Sequence, residues 1–262
     1  MMQALNIARL LAAWFILYLA TGYISLFLDD PVSRVSYVWF PAGVAVSAFL
    51  LTGRSYWPAL FLTLFAARLL LDVTLRHSLE TSLLHAAISL CNDIAIAYCV
   101  IRFGRPNDRL HRMLIWLIAT FSLSALAAVP GAGWLVLRQG LDFSQTFGIW
   151  WSANVIGVIL FTTIVMGLIW KPEPASVTQK GLAVVLWLLL CVSTWFVFHQ
   201  SVDNPRGAAL LFGFACLPVT LMILIPVLTG SRVGAFSLLC FSSIVIYYSW
   251  QQTGPFFRFI SD

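Results

Sequence analysis

The stretch V-W-F-P-A-G-V-A-V-S-A-F-L-L-T-G-R-S-Y-W-P at residues 38–58 decides the fold. Its apolar run of about 16 residues is at the short limit for a helix that crosses a hydrocarbon core of about 30 Å. Pro41 fits the first turn of a helix, where no backbone N–H donor is needed, and Trp39 and Trp57 are typical of membrane interfaces. The stretch therefore predicts a short membrane hairpin, and we expect its span to cross the bilayer rather than re-enter it.

The composition excludes a soluble protein. Hydrophobic residues make up 61% of the chain and charged residues 10%, whereas soluble domains have about 25% charged residues. The net charge of +5 does not indicate a nucleic-acid partner, because the basic residues lie in short loops where they set membrane orientation. The five cysteines are scattered through apolar runs without metal-ligand spacing, so neither a disulfide framework nor a metal site is predicted.

The fold class predicted is all-α, a polytopic helical integral membrane protein with about nine transmembrane helices and a range of eight to ten. Residues 1–262 are expected to form a single transmembrane domain. The first span is retained, because its apolar run is long for a signal peptide. The predicted spans are approximately 8–28, 37–52, 57–75, 82–101, 113–137, 146–170, 182–199, 208–229 and 233–250.

Lysine and arginine residues are distributed unevenly between the two sides of these spans. With the N-terminus in the cytoplasm, nine of the 15 lie on the inner side, five lie on the outer side, and Arg68 lies within a span. The positive-inside rule favours this orientation. A ninth span then leaves residues 251–262 on the outer side.

Four ionisable residues lie at membrane depth, where such residues are costly and often functional. At about 1.5 Å per residue, Arg68 and Asp93 are level on consecutive spans, which predicts an ion pair between them. Asp72 and His85 are level nearer the outer side and could form a second pair, and Arg68 and Asp72 are also i,i+4 neighbours. Such pairs could line a ligand or proton site, or they could only hold two helices in register.

The sixth span contains W-W-S-A-N-V-I-G-V at residues 150–158, with Asn154 on the face of the two tryptophans. Gly157 continues this face and would let another helix approach closely. One interpretation is a polar, aromatic ligand pocket, and the other is an aromatic belt with one interhelical amide hydrogen bond. The candidate ligand-binding residues are Trp39, Asp72, His85, Trp150, Trp151 and Asn154.

No catalytic motif is evident. The sequence has no Walker loop, no G-x-G-x-x-G, no H-E-x-x-H and no G-x-S-x-G. The four histidines are widely separated, and the serines lack a histidine and acid arrangement. We therefore predict no catalytic residue, no cofactor and no metal, and we expect a protein that is not an enzyme.

Four segments in order resemble the first membrane-associated sensor (MASE-type) domain family of bacterial signalling proteins. They are W-F-P-A-G at 39–43, G-R-S-Y-W-P at 53–58, W-W-S-A-N-V-I-G-V at 150–158 and T-G-P-F at 253–256. The resemblance covers essentially the whole chain. The resemblance implies a sensory input module in the bacterial inner membrane. It would bind a small molecule or a membrane-protein partner, could form a homodimer, and would regulate a cytoplasmic output domain, namely a cyclic-di-GMP enzyme or a histidine kinase.

The chain departs from the family pattern at several positions. Family members tend to carry Gly-Asp where this chain has Ala153-Asn154, and an asparagine where it has Arg68. A glutamate that is common in the following span is not matched, although Asn92 and Asp93 lie close by. The family adds one more span after G-P-F, so we expect the chain to lack its last helix and its output domain.

A second function class stays open beside the sensory module. Ionisable residues within spans can also line the polar route of a transporter for small molecules or ions. The residues that would line this route are Arg68, Asp72, His85 and Asp93.

Overall fold

The computed structural model describes residues 2–29, 35–74, 78–169, 176–199 and 205–251, and it confirms the predicted all-α membrane fold. Within these residues there are nine α-helices, seven of them long and apolar enough to cross a membrane. A single 3₁₀ turn, Arg54–Tyr56, joins the second helix to the third. The T-G-P-F segment lies outside the described residues. The helices are α1 Met2–Leu26, α2 Phe40–Leu51, α3 Trp57–Thr74, α4 Leu79–Phe103, α5 Arg109–Gln139, α6 Phe143–Ile169, α7 Val177–His199, α8 Pro205–Thr229 and α9 Ser231–Trp250.

Polar residues between the spans set the helix ends. The Ser78 hydroxyl accepts a hydrogen bond from the Thr81 backbone N–H and caps the start of α4. Asp108 caps α5 in the same way, and Asp142 accepts from the backbone N–H of Gln145 at the start of α6. Each cap satisfies a backbone donor that the first helical turn leaves unpaired. Gly140, with φ of 69°, ends α5 in the left-handed conformation that glycine adopts without steric cost.

The chain divides into two compact units, Met1–Thr162 and Thr163–Asp262. In the first unit α2 packs against α1, α3 and α4. In addition, α3 packs against both α1 and α4, and α5 packs on α4. All ten residues from Phe40 to Phe49 are buried. At 12 residues α2 is about 18 Å long, too short to cross a hydrocarbon core of about 30 Å by itself. The predicted span 37–52 is therefore a shorter helix, and protein encloses it along most of its length.

The C-terminal end of α2 is closed by a tryptophan from α3. The Trp57 indole N–H lies 3.1 Å from both the Phe49 and the Thr52 carbonyl oxygens, and the Trp57 ring meets the Phe49 ring edge-on. These carbonyl groups are among those that a helix leaves without an internal partner at its end. Trp57 thus satisfies them inside the protein, in addition to any contact with the membrane interface.

Replacing Trp57 with phenylalanine should lower the free energy of unfolding by about 1–2 kcal/mol, because the ring stays while its two hydrogen bonds are lost. Reversible unfolding in mixed micelles measures this. Trp195→Phe is the matched control, since the Trp195 side chain is about half exposed (48%) in the second unit. An equal loss in both variants would contradict a capping role for Trp57.

The second unit contains α7, α8 and α9, each of which packs against the other two. Its core consists of Leu190 on α7 and of Leu221 and Ile225 on α8. Gly230, with φ of 93°, makes the sharp turn between α8 and α9. None of the candidate site residues lies in this unit.

Candidate functional site

Trp39 lies at the entrance to α2 and is held by two neighbouring helices of the first unit. Its backbone N–H donates a 3.0 Å hydrogen bond to the Ala153 carbonyl oxygen on α6. The next backbone N–H, that of Phe40, donates a 3.0 Å hydrogen bond to the Ser25 hydroxyl on α1. The Trp39 side chain is buried. Trp39 is therefore an interior residue fixed from both sides, and the expectation of an interfacial anchor is corrected.

Two glycines allow this close approach. A Cβ atom on Gly157 of α6 would collide with the backbone carbonyl of Trp39, and a Cβ on Gly43 of α2 would collide with the backbone of Gly157. Around them, the Phe40 and Phe161 rings have centroids 4.9 Å apart, and the Thr162 hydroxyl donates to the Gly43 carbonyl oxygen at 3.3 Å. We call this contact of α2 with α6 the glycine seam. It confirms the prediction that Gly157 lets another segment approach, and it brings W-F-P-A-G against N-V-I-G-V.

Arg68 on α3 lies over the Trp39 ring, with its guanidinium carbon 4.1 Å from the ring centroid. At this distance the cation is attracted by the negative face of the indole. The Arg68 Nε also lies 3.2 Å from Asp72 Oδ2, and both side chains are buried. The ion pair that forms thus joins Arg68 to its i+4 neighbour. This corrects the predicted pair with Asp93, because the partner on the same helical face lies within reach without help from a second helix.

Asp93 on α4 belongs to the same surroundings without being the ion-pair partner. It is fully buried, and the charge of Arg68 acts on it electrostatically. Its Oδ1 has a long 3.4 Å contact with the Asn92 amide nitrogen. Tyr18 on α1 completes the group, since Arg68, Asp72 and Asp93 all act electrostatically on its buried hydroxyl. We call this set the buried charge cluster; its members are Tyr18, Trp39, Arg68, Asp72, Asn92 and Asp93.

The cluster is short of hydrogen-bond partners. Among the described residues, no partner is found for three of its buried oxygen atoms: Asp72 Oδ1, Asn92 Oδ1 and Asp93 Oδ2. The Tyr18 hydroxyl and the Trp39 side chain contact each other. Buried polar groups are normally paired, because an unpaired one costs about 1–3 kcal/mol. Unpaired groups on two neighbouring helices, α3 and α4, therefore indicate a place where a proton, a water molecule or a polar ligand group could be held.

The remaining candidates make contacts of a different kind. The rings of His85 on α4 and Trp150 on α6 meet edge-on with centroids 4.7 Å apart, and Trp150 also packs on Gly131 of α5. Asn154 follows the residue that accepts the Trp39 N–H, and its buried Oδ1 has no partner in the described part of the chain. Trp151 donates its indole N–H to the Phe121 carbonyl oxygen at 3.0 Å. Among the candidates, Trp39 and Asp72 therefore both contact Arg68, and His85 contacts Trp150.

Sequence reasoning did not identify Tyr18 or Ser25. Both lie on α1, which reads as a plain apolar span, and hydroxyl groups on such a span are compatible with ordinary helix packing. Tyrosine is amphipathic and usually finds a partner when buried. A tyrosine eleven residues before Asp29 could therefore have indicated a polar neighbour within the bundle.

The fold and the cluster define a class: a polytopic membrane protein that keeps a charged group of side chains in the interior of its first unit. The family model MASE1 matches residues 7–261, essentially the whole chain. The chain belongs to the MASE1 family of membrane-associated sensory domains. No curated protein and no solved structure matches the chain significantly.

Proposed function

We propose that this sensory domain receives its signal at the buried charge cluster, by binding a small molecule or a neighbouring membrane protein. One observation carries the proposal. Two segments of the family pattern, W-F-P-A-G and N-V-I-G-V, contact each other at the glycine seam, and Trp39 from the first of them covers the Arg68–Asp72 pair. A residue that touches both the charged pair and the seam is well placed to couple an event at one to the packing of the other.

The coupling would work through competition for existing contacts. An incoming cation or polar group can replace Arg68 on the Trp39 ring, or it can bind the unpaired Asp72 Oδ1. Either event changes what holds Trp39 in place, and with it the balance between two packings of α2 against α6. A ligand shifts such an equilibrium only by its difference in affinity for the two states. We propose that a cytoplasmic output domain, in the same chain or on a partner, reads the shift in a bacterial inner membrane, with the N-terminus in the cytoplasm.

Trp39→Ala and Asn154→Ala should each abolish or strongly reduce signalling while leaving membrane insertion intact, because each removes a side chain beside the seam and leaves the spans unchanged. The output is the activity of the signalling domain that responds to this membrane domain, measured in membranes of cells that carry the wild-type or the variant gene. Trp195→Ala is the matched control, since this tryptophan is half exposed in the second unit. Wild-type signalling in both seam variants would exclude the cluster as the receiving site.

The transporter alternative is distinguished by reconstitution. The full chain in proteoliposomes is screened with small molecules for a change in thermal stability, and each molecule that stabilises it is tested for uptake. A sensory domain should be stabilised by its ligand by a free energy that grows with ligand concentration, without transport. Accumulation of the ligand inside the vesicles would contradict the sensory function and favour a transporter.

A further inference from the structure

We propose that Asp93 is a proton-binding site, and that the proton it holds determines whether Arg68 stays on Trp39 and Asp72. Each charge in the interior of the first unit costs free energy, because burial removes it from water. The link from this proton to signalling rests on the proposed function, whereas the proton site itself does not.

The acids around Arg68 outnumber it. Arg68 is ion-paired with Asp72, while Asp93 and the partly buried Asp29 also lie within its electrostatic reach. Asp29 has its own partner, since it accepts a hydrogen bond from the Ser36 hydroxyl. Once Arg68 and Asp72 have neutralised each other, Asp93 is a fully buried carboxyl group without a counter-charge of its own. A lone ionised carboxylate in such surroundings costs far more than a neutral one, so it takes up a proton instead.

The helices packed around α4 offer no further cation. α2 carries no ionisable residue, and α3 contributes Arg68 and Asp72. α1 packs on α2 and α3 and contributes the Tyr18 phenol; its other ionisable side chains are Tyr23 and Arg9, and Arg9 is exposed and about 13 Å from Tyr18 along the helix. The ionisable residues of α5 lie near its two ends: Arg109, His111, Arg112 and Arg138. On α4 itself, His85 and Arg102 are eight and nine residues away, about 12–14 Å along the helix.

The hydrogen-bonding pattern fits a neutral carboxyl group at this position. The only contact described for the Asp93 oxygens is the long one from the Asn92 amide, and Oδ2 has none among the described residues. An ionised carboxylate normally accepts several short, charge-assisted hydrogen bonds. The Tyr18 hydroxyl is a second polar group in the same place: it is fully buried, it contacts the Trp39 side chain, and it lies under the influence of Asp93.

Loss of the proton would move Arg68. Deprotonation releases H⁺ to water and leaves a second full negative charge beside one guanidinium. Arg68 is then attracted to Asp93 as well as to Asp72, and any movement toward α4 withdraws it from the Trp39 ring. Because Trp39 is part of the glycine seam, one proton would act on the contact between α2 and α6.

Infrared difference spectroscopy on the full chain in lipid nanodiscs tests the proposal. The wild type should show the C=O stretch of a protonated carboxyl group at neutral pH, absent in Asp93→Asn and retained in Asp72→Asn. Glu80→Gln is the control acid, because its exposed carboxylate pairs with Arg138 at the surface. At high pH the band should disappear together with a change in tryptophan fluorescence, and neither change should occur in Asp93→Asn.

Stability gives an independent readout. An amide is nearly the same shape as a neutral carboxyl group, so Asp93→Asn should fold and unfold at the same temperature as the wild type at neutral pH. Failure of this variant to fold, absence of the band in the wild type, or its loss with Asp72→Asn would each overturn the proton site. Loss of the band on adding sodium at constant pH would also overturn it, in favour of a metal-cation site. If the wild type shows the band but Asp93→Asn signals like the wild type, then Asp93 binds a proton and that proton has no regulatory role.

Discussion

Replacing Arg68 with methionine should lower the free energy of unfolding by about 3–5 kcal/mol, because it leaves the Asp72 carboxylate buried without its counter-charge. The Arg68 and Asp72 side chains are only 9% and 1% exposed, so water cannot take over the role of the arginine. The contact of the cation with the Trp39 ring is lost as well. Reversible unfolding in mixed micelles measures the change.

A double mutant shows whether the loss is due to the pair. Adding Asp72→Asn to Arg68→Met removes the uncompensated charge, and we expect it to restore part of the lost stability. Arg138→Met is the matched control, since Arg138 pairs with Glu80 where both side chains are more than half exposed. Surface pairs contribute only about 0–1 kcal/mol. If both arginine variants lose the same stability, or if the double mutant is no better than Arg68→Met, then burial of the pair is not the cause.

Replacing Gly157 with alanine should destabilise the first unit by about 1–3 kcal/mol, the usual cost of overfilling a tightly packed interior. The added Cβ meets the Trp39 backbone carbonyl, which cannot rotate away as the end of a flexible side chain could. Relief requires α6 to move from the α2 entrance, which breaks the hydrogen bond from the Trp39 N–H to the Ala153 carbonyl oxygen. Thermal unfolding in detergent, followed by tryptophan fluorescence, is the measurement.

Gly148 provides the control on the same helix. Apart from the adjoining backbone of α6, no atom of the described residues lies within 4 Å of a Cβ built there. Gly148→Ala should therefore be neutral, or stabilising by up to about 1 kcal/mol through helix propensity alone. The two variants make the same chemical change in α6 and differ only in what the methyl group meets. A stabilised Gly157→Ala protein would show that α6 is not held against Trp39.

The sequence predicted the number and positions of the helices well, because each span is a long apolar run bounded by polar turns. α2 is four residues shorter than the predicted span 37–52, whereas α4, α5 and α7 are five or six residues longer than their predicted spans. Hydropathy alone cannot distinguish a segment that faces lipid from one that is enclosed by other helices, since both are uniformly apolar. The same limit explains Trp39, whose position at the end of an apolar run suggests an interface although its ring lies under Arg68.

Only part of the buried charge cluster was predictable from the sequence: its charged residues stood out at membrane depth, whereas Tyr18 did not. Depth along a helix placed Arg68 and Asp93 level with each other, and both do belong to the buried charge cluster. Depth carries no information about rotation around the helix axis, and the i+4 relation of Arg68 to Asp72 determined the ion pair. Gly157 was correctly expected to allow a close approach. That its neighbour is the Trp39 carbonyl depends on the packing of segments more than a hundred residues apart.

The enclosed position of α2 has a consequence for how the chain is made. A helix of about 18 Å is too short to cross the hydrocarbon core by itself. We therefore expect residues 40–51 to enter the membrane together with later helices. α3 then brings Arg68 together with its ion-pair partner Asp72 on the same helix. The Trp39 N–H finds its acceptor only when Ala153 has been made. We therefore expect the contact of α2 with α6 to form only after more than half of the chain has been translated.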